Sequence, residues 1–141
     1  NAEAMARVRA AVEPSLVPGE TLVGAMHAVQ QSTFSGSMWA NGVTEQRLVL
    51  VPLDRKMTAK GPPTSVRPSE ITKSSVDGSG GGIDHFAAAL LKDGGDLRFD
   101  TGSKKWKFSA IGGLGGEQLL GSDYASGVNA VCQFLVDATQ R

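Results

Sequence analysis

Asn41-Gly42-Val43-Thr44-Glu45-Gln46-Arg47-Leu48-Val49-Leu50-Val51-Pro52 carries the clearest strand signal in the chain. Asn-Gly is the strongest short hairpin signal, because both residues tolerate the left-handed conformation that a type I′ turn demands. The run at 43–51 is rich in β-branched residues and Leu, which fit a pleated, half-buried surface, and Pro52 lacks the amide hydrogen needed to continue a ladder. The expectation is an antiparallel hairpin turning at Asn41-Gly42, with a short strand at 37–40 before it and a well-defined strand at 43–51 after it.

Upstream, residues 22–30 alternate well enough for another strand, with Leu22, Met26 and Ala28 on one face and Val23 and Val29 on the other. Leu16-Val17-Pro18-Gly19-Glu20 reads as the turn before it. Residues 3–12 place Met5, Val8 and Val12 at spacings of three and four, which predicts a short amphipathic helix ending before Pro14 and covering an edge of the sheet. Downstream, 54–68 is a polar, Pro-containing loop around Gly61-Pro62-Pro63, and Ile71 to Val76 forms the next strand. A flexible glycine tip follows at 78–82. Strands at 83–92 and 96–101 flank a turn at Asp93-Gly94-Gly95, and a further strand covers 104–111. From about Ser122 a final helix presents Val128, Val131, Cys132, Leu135, Val136 and Ala138 on one side, although Gly127 costs it about 1 kcal/mol relative to Ala.

Strands in hairpin order, with no strand–helix alternation, predict an α+β domain: a bent antiparallel sheet or partial barrel of about seven strands, capped by a C-terminal helix and preceded by a short N-terminal one. Residues 1–15 form the helical lead-in, with Asn1-Ala2 expected to be a cloning remnant, and 16–141 form the sheet domain. Fourteen Lys and Arg balance fourteen Asp and Glu, so no whole-protein field draws in nucleic acid, which is not an expected partner. One cysteine, Cys132, gives no intramolecular disulfide and points to a cytoplasmic protein. No apolar run approaches the roughly 20 residues of a membrane-spanning helix.

Leu16-x-Pro18-Gly19-Glu20, the phrase Thr44-Glu45-Gln46-Arg47-Leu48 within 42–51, Ile71 and Val76, Asp96-Leu97-Arg98-Phe99 and the closing helix together resemble the bacterial pleckstrin-homology-like and GRAM-like domains over residues 16–138. The resemblance implies a noncatalytic binding module. Residues 30–37 contain no Lys or Arg, so the charge-assisted contacts with which eukaryotic relatives hold inositol phospholipids are missing from the first hairpin.

The segment Lys104-Lys105-Trp106-Lys107-Phe108 sets three ammonium groups around an indole, and with Arg98 it forms a candidate surface for anionic lipid. Alternation also fits it to an ordinary half-buried strand, with Trp106 and Phe108 on one face and Lys105 and Lys107 on the other. Arg55, Lys56 and Lys60 form a second, weaker basic group in the loop after the central strand. Arg47, a guanidinium on a half-apolar strand, needs a carboxylate or carbonyl partner. His27 and His85 are isolated, Cys132 falls in the apolar register of the last helix, and neither a nucleophile motif nor a metal-ligand spacing occurs. The expected function is therefore a noncatalytic scaffold or binding module without cofactor or metal, engaging a protein partner or a second copy through an exposed strand edge or the groove beside the last helix. The alternatives are membrane-surface binding through 104–108, and a small-ligand carrier or enzyme using a pocket under the C-terminal helix.

Overall fold

The computed structural model describes residues 2–31, 36–76, 95–110 and 123–139. Helix α1 (Ala2–Val12) runs into a single 3₁₀ turn (Glu13–Ser15), followed by β1 (Leu22–Gln31), β2 (Gly36–Thr44), β3 (Leu48–Leu53) and β4 (Thr64–Val66). A second 3₁₀ turn (Pro68–Glu70) leads into β5 (Ile71–Val76), and β6 (Gly95–Thr101), β7 (Lys105–Ala110) and helix α2 (Asp123–Thr139) complete the chain. The described strands form one antiparallel sheet in the order β4-β3-β2-β1-β7-β6-β5, open at β4 and β5. The α+β class expected from the sequence is the class observed. The strand expected at 83–92, the glycines at 78–82 and 112–116, and His85 lie outside the described residues, as does the turn at 93–95 apart from Gly95, which opens β6.

The hairpin turn is not at Asn41-Gly42. Both residues lie inside β2, where Met26 and Ala25 pair with them on one side and Leu50 and Val49 on the other. Packing decides this: a Cβ on Gly42 would stand 2.6 Å from Val12 of α1, so glycine is required there for the approach of a helix. The chain turns instead at Thr44–Arg47. The Thr44 amide donates to the Arg47 carbonyl at 2.9 Å, and the Thr44 hydroxyl oxygen accepts from the amides of Gln46 and Arg47 at 3.1 Å each. A threonine side chain thus builds the turn that Asn-Gly would have built elsewhere. Pro52 does not close β3 but lies within it, beyond the β4 pairing; its carbonyl accepts from the Lys60 amide at 2.9 Å, while the reciprocal bond is lost with its missing amide hydrogen.

Arg47 finds both kinds of partner expected of it. Its Nε and one terminal nitrogen donate to the two Glu20 carboxylate oxygens at 2.9 and 2.8 Å, and that nitrogen also donates to the Ser15 carbonyl at 2.6 Å. Glu20 also accepts from the Thr44 hydroxyl at 2.8 Å and the Val17 amide at 3.1 Å. The Glu20 side chain is fully enclosed and that of Arg47 nearly so. One carboxylate therefore ties the 16–20 turn to the β2–β3 hairpin, and Arg47 extends the tie to Ser65 of β4.

Helix α1 does not cover a sheet edge as expected; it lies across β1, β2 and β3, with Met5, Val8, Ala11 and Val12 buried beneath it. Helix α2 packs chiefly along β1 and β5. Among the described residues β1 pairs with β7 only at Val29 and Gln30, and the earlier half of that β1 edge receives α2 instead. The approach is close enough that a Cβ on Gly127 would overlap the Ala25 carbonyl oxygen, and one on Gly24 would come within 2.8 Å of Ala130. The helix buries Tyr124, Val128, Val131, Cys132, Leu135 and Ala138, while Val136 is only partly covered. Val23, assigned to a strand face from the sequence, is the extra residue of a bulge between Leu22 and Gly24 and is 57% exposed.

Two measurements check this account. Gly127→Ala, which would stabilise an isolated helix by about 1 kcal/mol, is expected instead to lower folding stability by about 1–3 kcal/mol in urea melts, because the added methyl meets backbone. The Arg47 hydrogen bonds, aided by Thr44 and Val17 and opposed by burial, lower the Glu20 pKa from the ordinary 4.5 to about 2. A depressed folded-state pKa contributes stability above the unfolded value that is lost as pH falls from about 4.5 towards 2. Glu20→Gln is expected to melt lower at neutral pH and to show a smaller further loss across that acid window.

Candidate functional site

The basic aromatic segment divides between the two faces of β7. Trp106 is 4% exposed and belongs to the core, where it stands opposite Phe99 of β6 and meets the Trp39 ring edge-on at 5.6 Å. Phe108 stacks beside it at 5.7 Å. The indole offered from the sequence as a surface anchor is therefore committed to packing. Lys104, just before β7, lies over the Trp106 ring with Nζ 3.8 Å from the centroid, a cation–π contact that seals the edge of the aromatic cluster. Lys105 and Lys107 point to the opposite face, as alternation predicts, with Lys107 directly across from Arg98 and Lys105 across from Asp100. The next strand brings Ser75 beside Arg98 and Lys73 beside Asp100, so two β5 residues not singled out in the sequence join this face. A shallow depression of about 530 Å³ lies there. Asp96 sits at one end, accepting from the Ser109 hydroxyl at 2.8 Å and reaching Lys107 and Arg98 at 3.4 and 3.5 Å. Burial pulls its pKa up, but the Ser109 bond and the neighbouring cations prevail and hold it below the usual aspartate value.

The second basic group belongs to a different construction. Asp54, at the end of β3, folds the chain over its own carboxylate: Oδ1 accepts from the Lys56 and Thr58 amides at 2.9 and 3.0 Å and from the Thr58 hydroxyl at 3.0 Å. The Thr58 amide, followed by the Thr58 hydroxyl and the Lys56 amide, lowers the Asp54 pKa against the pull of burial. This bonding holds Met57 at φ +63°, a left-handed conformation that non-glycine residues adopt uncommonly. Arg7 of α1 donates to the Lys56 carbonyl at 3.0 Å and to Glu3 at 2.8 Å, joining the helix to the loop. Between them lies an apolar groove of about 620 Å³, with Val51 on its floor, Ala10, Ala11 and Pro14 on the helix side, and Met57, Ala59 and Pro63 on the loop side. Arg7 and Lys56 also line it. Arg55 and Lys60 are exposed on the loop and do not line the groove.

The sequence offered a pocket under the C-terminal helix as one alternative; among the described residues an apolar groove lies beside the N-terminal helix, a place the sequence did not single out. The available signal was the spacing of Asp54 and Thr58 followed by Gly61-Pro62-Pro63, which marks a built loop, but nothing local says that α1 returns to face it.

Groups with chemical potential are placed for packing. His27 is buried, its Nδ1 has no hydrogen-bond partner, and burial lowers its pKa, which favours the neutral ring. Burial pushes the Cys132 thiol up to about 11, so thiolate is scarce at neutral pH. The described residues contain no group of three His, Cys, Asp or Glu side chains able to hold a metal ion, and no described helix is long and apolar enough to cross a membrane.

Comparison with protein-family models and with curated proteins gives no match. Among solved structures the chain is similar to the crystal structure of the C-terminal domain of an unknown protein from Leishmania infantum. The identity is 14%, over 79% of this chain and 85% of that one, with a TM-score of 0.46.

If Asp54 builds the groove wall, Asp54→Ala is expected to speed hydrogen exchange at the Lys56 and Thr58 amides while leaving the α2 amides unchanged. Equal protection in the two proteins would mean that the wall stands without its carboxylate.

Proposed function

We propose that this chain is a noncatalytic binding module of the pleckstrin-homology-like kind, working in the bacterial cytoplasm, that engages a protein partner through the groove between α1 and the 54–63 loop. The observation that carries the reading is a groove of about 620 Å³ whose lining is largely apolar and whose two walls are joined by the Arg7–Lys56 hydrogen bond. Apolar lining with a few cations suits apolar side chains of a partner flanked by acidic residues. Pre-formed walls lower the ordering cost of association. The seven-stranded antiparallel order with a closing helix supports the family resemblance, as does the meeting of the Pro-Gly-Glu and Thr-x-x-Arg-Leu phrases at the Glu20–Arg47 pair.

A photo-crosslinking amino acid at Ala10 tests the proposal in living cells. It is expected to trap a discrete protein, and Ala59→Trp, which narrows the groove from the loop side, is expected to abolish trapping without shifting the thermal melt. Trapping that survives Ala59→Trp, or that occurs only from a probe at a distant position such as Thr72, would reject the groove as the binding surface.

A further inference from the structure

We propose a second interaction surface: the outer face of β5, β6 and β7 receives an extended acidic peptide segment laid along the strands. The register places this face on the side of the sheet that α1 covers, since Val29 of β1 pairs with both Met38 and Ser109 and alternation carries that side to Lys107 and Lys105. Over β1–β3 the side is occupied by α1, whose main sheet contacts among the described residues are with those strands. Over β5–β7 it bears charge in two ranks. One holds Ser75, Arg98 and Lys107, and the next holds Lys73, Asp100 and Lys105. Lys107 is partly exposed, whereas Lys73, Arg98 and Lys105 are exposed.

Among the described residues the three lysines alone outnumber Asp96 and Asp100, although the chain as a whole carries a net charge of zero. Asp96 divides its carboxylate between Lys107 at 3.4 Å and Arg98 at 3.5 Å, and is itself engaged by Ser109. Asp100 sits between two lysines. A local positive surplus therefore remains at the surface.

The spacing selects the partner. Side chains two residues apart on a strand point the same way and stand about 6.8 Å apart, so Lys105 and Lys107 repeat at the interval at which an extended peptide presents alternate side chains. A segment with carboxylates at alternating positions meets one rank with each. A membrane surface fits less well, because Trp106, the aromatic group that would anchor in the interface, faces the core.

Fluorescence anisotropy of the intact chain with a short fluorescein-labelled peptide alternating Glu and Ser tests the proposal at about 0.01 M salt, where the screening length is about 30 Å. Binding is expected, weakening as salt is raised, and falling about tenfold in Lys105→Glu/Lys107→Glu. Lys73→Glu, a substitution at an exposed position, is expected to weaken it in the same direction with an unchanged melt. Lys60→Glu alters the net charge as Lys73→Glu does but is exposed on the loop outside both surfaces, and is expected to leave binding intact. Absence of binding at low salt overturns the proposal. So does equal binding of a peptide of the same composition with its Glu residues in one block, an equal loss in Lys60→Glu, or tighter binding of phosphatidylserine vesicles through the same lysines. None of these outcomes touches the groove, which the Ala10 crosslink reports independently.

Discussion

The fold turns on an enclosed ion pair. Glu20 and Arg47 lie in two turns separated by a whole hairpin, yet the carboxylate takes two hydrogen bonds from the guanidinium, one from the Thr44 hydroxyl and one from the Val17 amide. A carboxylate taken out of water is costly unless such bonds replace its hydration. The pair is therefore a constraint as much as an attraction. With Arg47 also held by the Ser15 carbonyl and Ser65, the chain after α1, the β2–β3 hairpin and β4 are brought to one place. The same bonds engage four of the five N–H donors of Arg47, so its guanidinium is committed largely to structure.

Once that corner is set, the two helices are admitted by small residues. Gly42 makes room for Val12 of α1; Gly24 and Gly127 let α2 lie against the part of β1 that no strand pairs on that side among the described residues. The helix does there what a strand does elsewhere in the sheet, covering a backbone edge that would otherwise meet water or another chain. Around it, Trp39, Phe99, Trp106 and Phe108 pack edge-on and stacked, and Ala28 opposite Trp39 leaves space for rings from strands on either side of β1 to meet.

This packing also sorts the chemistry of the surface. Alternation along β7 sends the aromatic residues inward and Lys105 and Lys107 outward, so a segment that reads as one basic aromatic motif becomes half core and half charged face. Lys56 turns from one member of a loop charge group into part of an apolar groove, because Asp54 bends the loop over it and Arg7 reaches across from α1. Arg55 and Lys60 stay in solvent.

By itself the sequence determined the class of fold, the two helices, most strand positions and the inward register of Trp106, since these follow from hydrophobic periodicity over neighbouring residues. It also determined that Arg47 requires a partner. Only the tertiary structure decided which partner, because Glu20 is distant in the chain and any of several carboxylates satisfies the local rule. It also moved the hairpin from Asn41-Gly42 to Thr44–Arg47, a choice between two locally adequate turns that was settled by Val12 packing on Gly42. The groove and the ranked basic face were hidden for the same reason: each is made by segments far apart in sequence, and no local pattern encodes which segments a fold will bring together.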